Sequence, residues 1–420
     1  MLAIRRRRGQ GSKAGMYLCF KRMAREGYVT HQDSGQAPGG PPATSGTGCA
    51  ASGREPNEAS RQAHEEIGLS EGMVKKACLA SLLAILCLAG LVGLARREAA
   101  AQEARDSEEF EPLVLVRIIP IPGAEGRFDH MAVDVKGERI FAAVYGSDTV
   151  EVLHTARARR IASMQGGLDE PQGVAYIPET NRIVVSNSGD GSCKIFDGET
   201  YKLLETVKFP SDADQLRYDP ATKRVYVGYG EGAIGAIDMT TNKRLDGDFE
   251  VGVHPESFQL EESGPRIFVN LASISQIAVI DRKTRAIIRW KLEDAGTNFP
   301  MVLDEPHRRL FVAARRPARL LVLDMDSGKE IASLPGAADT DDMWFDATRK
   351  RIYVPSGEGF IFVYQQIDPD RYQRIAKIPT AIGARTSAYY GQVGKHNSLY
   401  LAVPARANRG AELWIYETRD

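Results

Sequence analysis

Seven segments of one design recur along this 420-residue chain at nearly constant spacing. Each has a basic or polar residue, a branched apolar residue and then alternating apolar positions. They are Arg139-Ile140-Phe141-Ala142, Arg182-Ile183-Val184-Val185, Arg224-Val225-Tyr226-Val227, Arg266-Ile267-Phe268-Val269, Arg309-Leu310-Phe311-Val312, Arg351-Ile352-Tyr353-Val354 and Ser398-Leu399-Tyr400-Leu401. Counted between the branched apolar residues, the intervals are 43, 42, 42, 43, 42 and 47. Strand-like alternation at a period in the low forties is the mark of propeller blades. The expected fold is therefore all-β: a seven-bladed β-propeller of four-stranded blades.

Within each unit the marker segment is the second strand. A first strand such as His130-Met131-Ala132-Val133-Asp134 precedes it, and the third tends to end in Asp, as at Asp197, Asp238, Asp281 and Asp324. An Asp there can accept hydrogen bonds from backbone N–H groups of the following turn, so its recurrence reads as structural. The seventh unit offers only three strands before the chain ends. The stretch Leu113 to Ile121 precedes the first unit with nothing else to pair with. It is expected to complete the last blade beside its third strand, closing the ring and removing an open edge.

Composition matters mainly because it differs by segment. Residues 1–72 carry Arg5 to Arg8 and a Gly/Ser/Pro/Ala-rich run, and form an expected disordered or non-native extension without the apolar content for a core. Residues 73–105 read as a signal peptide or signal anchor. Lys75 and Lys76 precede the uncharged apolar run 77–95, which is followed by Arg96, Arg97 and an Ala-rich cleavage-like site. The run is long enough to span a bilayer if uncleaved, and would be the only membrane contact. Residues 106–420 are then the exported propeller, periplasmic or extracellular. Of five cysteines only Cys193 falls in that part, so an internal disulfide is excluded. A net charge of -1 argues against nucleic acid as a partner. Arg315, Arg316 and Arg319, with Arg308 and Arg309, are expected to give the fifth blade a solvated basic edge.

The segments Lys223-Arg224-Val225-Tyr226-Val227 and Gln276-Ile277-Ala278-Val279-Ile280-Asp281 carry the unit most clearly. The repeat resembles the YVTN-repeat, YncE-like family of seven-bladed β-propellers over roughly residues 112–420. The resemblance implies the fold and an exported bacterial protein. It implies no single activity, and the chain departs from the pattern at Gly228-Tyr229-Gly230.

A site has to be found from the residues themselves. Eleven positions before each branched apolar residue the column reads Asp129, Gln172, Asp214, Glu256, Phe299 and Asp341. Arg385 takes the place in the longer last unit. Two positions later the column is mostly apolar, from Met131 to Met343, which places the polar column at the mouth of the central channel. The ligand-binding set expected there is Asp129, His130, Gln172, Asp214, Glu256, Asn298, Asp341 and Arg385, with Asp212, His254, Asp339 and Asp342 nearby. Hard oxygen donors from Asp129, Asp214, Glu256 and Asp341 would suit Ca²⁺ or Mg²⁺. Catalysis would use His254 or Glu256 as general base, with Arg385 holding an anionic substrate. That would resemble seven-bladed lactonases. The plainer reading is that these carboxylates cap turns and hydrate the rim. The function expected is an exported binding or scaffold module presenting this mouth to a small ligand, metal ion or protein, with a hydrolytic enzyme or a purely structural surface protein as alternatives.

Overall fold

The structure, a computed structural model, describes residues 111–393 and 396–420. The expected extension (1–72) and signal segment (73–105, with its apolar run 77–95) lie outside the described residues. No helix among the described residues is long and apolar enough to cross a membrane.

Seven antiparallel sheets follow one another along the chain, spanning 128–164, 171–208, 213–250, 258–291, 296–335, 344–379 and 386–418. We number them blades 1 to 7. Each first strand touches the first strand of the next blade, and the seventh touches the first, so the ring is closed around a central axis. The marker strands are second in every blade. Each blade is apolar on both faces, because successive residues of a strand point to opposite sides. In blade 2, Ile183 and Val185 pack toward blade 1 while Val184 packs toward blade 3. The outcome is seven hydrophobic clusters, one at each junction between neighbouring blades.

Closure occurs as the leftover strand predicts. Leu113–Ile121 pairs antiparallel with Ala411–Thr418, the third strand of blade 7. It buries Leu113, Ile119 and Ile121 completely or nearly so. Pro120, which cannot donate to a ladder, is tolerated because this is the outermost strand.

The recurrent residues explain themselves as fasteners. The Asp ending the third strand of blades 2 to 6 accepts from the turn that follows, as Asp281 does from Lys283 N and Thr284 N, both at 2.8 Å. The marker arginines reach across to the next blade. Arg139 donates to Gly198 O, Arg182 to Met239 O at 3.3 Å, Arg266 to Met325 O at 2.7 Å, Arg309 to Pro369 O at 3.0 Å and Arg351 to Arg419 O. Arg224 of blade 3 is the exception: it is exposed and its side chain forms no hydrogen bond or ion pair. Its place is taken from the other side by Arg282 of blade 4, which donates to Asp219 at 2.9 Å. Blade 3 also departs from the pattern in its fourth strand, split into Lys243–Arg244 and Phe249–Glu250 around Gly247, whose φ is +86°.

Candidate functional site

The polar column lies where the first strands are irregular. Register shifts interrupt the ladder between Phe128 and Met131, Pro171 and Val174, Ala213 and Leu216, and Asn298 and Met301. Asp129, Gln172, Asp214 and Phe299 sit inside these four bulges. In blades 4 and 6 the first strands start late, at Phe258 and Trp344, so Glu256 and Asp341 precede them, and Arg385 precedes the blade 7 strand. A bulge re-aims one side chain without disturbing the core alternation that resumes beyond it. The column two residues further on is accordingly buried in all seven blades, from Met131 to Ser387.

Gly173 shows how tightly a bulge is packed. A Cβ there would collide with the carbonyl oxygen of Asp214 and come within 2.6 Å of Ser186 Oγ, which itself donates to that carbonyl. Gly173→Ala is expected to cost about 1–3 kcal/mol by overpacking and to displace Asp214. An unchanged midpoint in thermal unfolding would show that the strand can shift without strain. Upstream of the bulges, Glu170, Asp212 and Thr297 hold left-handed backbone (φ 51°, 41° and 56°) at equivalent positions, where blade 7 uses Gly383. Such conformations in non-glycine residues persist where the surroundings over-determine them.

The side chains at this end form a nearly closed set of ion pairs. Arg127 pairs with Asp129 and reaches Gln172 Oε1 at 3.3 Å. His130 lies between Asp129 (3.5 Å) and Asp342 (3.3 Å). His254 donates from Nε2 to Asp214 at 3.2 Å and from Nδ1 to Gly230 O at 2.7 Å, with Asp212 at 3.9 Å. Arg385 binds Asp339 at 2.6 Å and also Asp341. Arg315 stacks 3.4 Å over the Phe299 ring, donates to Thr340 O at 2.8 Å and pairs with Asp341. Glu256 is the exception, forming no side-chain hydrogen bond or ion pair.

Electrostatics follow from these pairings. Burial opposes the charged form of His254, but the hydrogen bond and charge of Asp214, with Glu256 and Asp212 adding, raise its pKa to about 10. His130 is likewise raised to about 9, with Asp342 and Asp129 outweighing burial. Asp341 falls to about 2, because Arg385, Arg315 and Arg127 overcome its burial. Glu256 goes the other way. Burial raises it to about 7, and the attraction of His254 is partly cancelled by Asp214 and Asp341.

These facts correct several expectations. The mouth is not an acidic ring but a mixed-charge network, because Arg127 and Arg315 supply cations that the column did not contain. Arg315 belongs to this network and not to a solvated edge, while Arg308 and Arg309 are tied to Asp326 and Asp370. His254 is an imidazolium donating from both nitrogens, so it does not serve as general base, and Glu256 is the remaining candidate. Asn298 is no ligand residue of the mouth: it is fully buried and donates to Asn270 Oδ1 at 2.7 Å and Gln276 O at 3.0 Å. The four carboxylates do not converge on one ion. The cluster within metal-binding reach among the described residues is Asp129, His130 and Asp214, mutually within 4.8 Å. An imidazole donor beside Arg127 does not fit the oxygen set that Ca²⁺ or Mg²⁺ requires. Away from the mouth, His307 contacts Asp304 at 2.9 Å.

Arg127 was within reach of the sequence, since the position two before the polar column reads Arg127, Glu170, Asp212, His254, Thr297, Asp339 and Gly383. Arg315 had no such signal. It stands five residues after the branched apolar residue of blade 5, where blades 3, 4 and 6 have Gly230, Ala272 and Gly357.

No protein-family model matches the chain, and no curated protein does. Solved structures match it in fold. One is hydrazine synthase of Kuenenia stuttgartiensis, with a TM-score of 0.57 and 15% identity, the match covering 67% of this chain and 95% of that one. Another comes from a mitotic checkpoint complex, with a TM-score of 0.62 and 12% identity, covering 74% of this chain and 94% of that one. At such identity the likeness extends to the seven-bladed propeller and no further.

Proposed function

We propose that the chain is an exported propeller of the YVTN-repeat, YncE-like type that binds a small polar ligand at the channel mouth, engaging it through Glu256. The carrying observation is that Glu256 is the one carboxyl of the mouth without a partner, set among charges that are already paired and fixed. Burying so many ionised groups does little for stability compared with apolar packing, and perturbed groups gathered in a concave site are markers of function. A ligand offering a cationic or hydrogen-bond-donating group would give Glu256 the partner it lacks and favour its ionised form.

The test is a panel of amines, amino alcohols and sugars titrated into the full chain at pH 6 and pH 8, alongside Glu256→Gln. Saturable binding is expected for the wild type, tighter at pH 8 for a cationic ligand and weakened about tenfold or more in the variant. Binding indifferent to the substitution, or no binding across the panel, would overturn the reading. Without ligand the variant has its own signature. Because the folded pKa of Glu256 is raised, its protonated form stabilises the fold below about 4.5, and that contribution is lost as pH rises through about 7. Glu256→Gln is thus expected to be the more stable protein at pH 8, by about 1–3 kcal/mol, and to differ little at pH 4.

The same carboxyl favours a second reading as a hydrolase of lactones or esters. A group poised near 7 is suited to take a proton from an attacking water. Hydrolysis would then rise with pH through about 7 and drop about 10²–10⁴-fold in Glu256→Gln. An inactive but well-folded protein across a lactone panel would sink it.

A further inference from the structure

A second concavity lies away from the mouth, between blades 3 and 4. It is a cleft of about 860 Å³ bordered by the ends of the first strands, by the split fourth strand of blade 3 and by the turn at Glu261 to Pro265. It opens at the junction where the marker arginine fails to fasten the next blade: Arg224 is exposed, and Arg282 has turned to Asp219 instead. Its volume is in the range that encloses small organic ligands.

Arg217 lines both this cleft and the central channel beside Asp342 and Trp344. Its position along the first strand is held in the other blades by Ala132, Ala175, Gln259, Val302, Trp344 and Ala388, so it is the one charge in that layer of the channel wall. Its guanidinium donates to Leu216 O at 2.8 Å, lies 5.8 Å from the Phe258 ring centroid and forms no ion pair. Burial weakens its hold on the proton, to a pKa of about 10, with only Asp342 opposing. A guanidinium has five donors in a planar fork, and a sheltered one with most donors unused matches a carboxylate or phosphate edge.

The other charges around the cleft bear on the same point. Asp219 is neutralised by Arg282, Asp248 by Arg244, and Glu261 by Arg266 and Arg308. Asp246 and Glu262 remain at the exposed rim without ion-pair partners. Arg224, Lys283 and Arg285 at the same rim also lack ion-pair partners, so the open charges of the cleft sum to positive and attract an anion.

We propose that the cleft between blades 3 and 4 is a binding site for a small carboxylate- or phosphate-bearing anion, held by Arg217. The proposal is independent of the mouth and of Glu256. It is tested by titrating the full chain with two probes, benzoate for the carboxylate and inorganic phosphate for the phosphate, for the wild type and Arg217→Met. The expected result is saturable binding of at least one probe that falls at least about tenfold in the variant, as loss of a charged hydrogen-bonding partner requires. No saturable binding of either probe, or equal binding by Arg217→Met, would overturn the assignment. Should Arg217→Met fail to fold, hydrogen exchange of the wild type gives the answer. The bound probe must slow exchange at amides of 217–222 and 245–249, and protection confined to the mouth would overturn the proposal.

Discussion

Deleting Leu113–Ile121 from the full chain is expected to abolish cooperative unfolding. The strand contributes three buried aliphatic side chains, Leu113, Ile119 and Ile121. At about 1.5–3 kcal/mol each, they represent roughly 5–9 kcal/mol, which is comparable with the whole stability of an ordinary domain. The loss is also topological. The strand completes the sheet containing the last residues of the chain, pairing Leu113 with Thr418 and Ile121 with Ala411, and it packs against the fourth strand of blade 1. Without it blade 7 has three strands, and the junction with blade 1 loses two members of its hydrophobic cluster, Ile119 and Ile121. The measurement is calorimetric unfolding with and without the strand. A shortened protein that melts in one sharp transition at the wild-type midpoint would refute the closure argument.

The second large effect is expected from His254→Leu. The imidazolium of His254 satisfies Asp214, Asp212 and Gly230 O together. Removing one partner of a buried ion pair leaves an uncompensated charge, at a cost of about 3–5 kcal/mol. The pH dependence distinguishes this from a simple packing defect. The folded pKa is about 10 against an ordinary 6.5, so the proton-linked stabilisation is complete below about 6.5 and is lost as pH rises through about 10. The stability gap between wild type and variant should therefore be widest near pH 6 and narrow steadily toward pH 10. Denaturant unfolding at several pH values measures it, and a gap that stays flat over that range would show that His254 is neutral. Glu256, two residues away, is expected to give the opposite sign, since there the wild type holds the group that its surroundings disfavour when ionised.

The two histidines and Glu256 show why the charge state of the mouth could not be read in one dimension. His254 and Asp214 are 40 residues apart, and Arg385 meets Asp339 from the next blade. Each pKa is set in part by groups brought in from other blades, as Asp342 of blade 6 is to His130 of blade 1, so a column of residue types predicts position but not pairing. Arg315 makes the same point. Beside Arg316, Pro317 and Arg319 it resembles a basic turn. It becomes part of the mouth because its strand continues to Arg316, which lets its side chain lie over Phe299 and reach Asp341. Asn298 failed in reverse. It is one residue from the polar column, and in a strand one residue changes the face, so it went into the interior.

The sequence by itself determined the number of blades, the strand order within each, the turn-capping role of the recurring Asp residues and the strand that closes the ring. All of these follow from short-range alternation repeated at a fixed interval, which a linear reading can see. It also placed the polar column at one end of the channel, since the shift from polar to apolar two residues later is a local pattern. The tertiary structure alone decided which charges pair, that Glu256 is left without a partner, and that blades 3 and 4 part around Arg217. The reason is that these properties belong to junctions between blades. There the partners stand far apart along the chain, 26 residues for Arg315 and Asp341 and 40 for Asp214 and His254, and burial and neighbouring charge act through space.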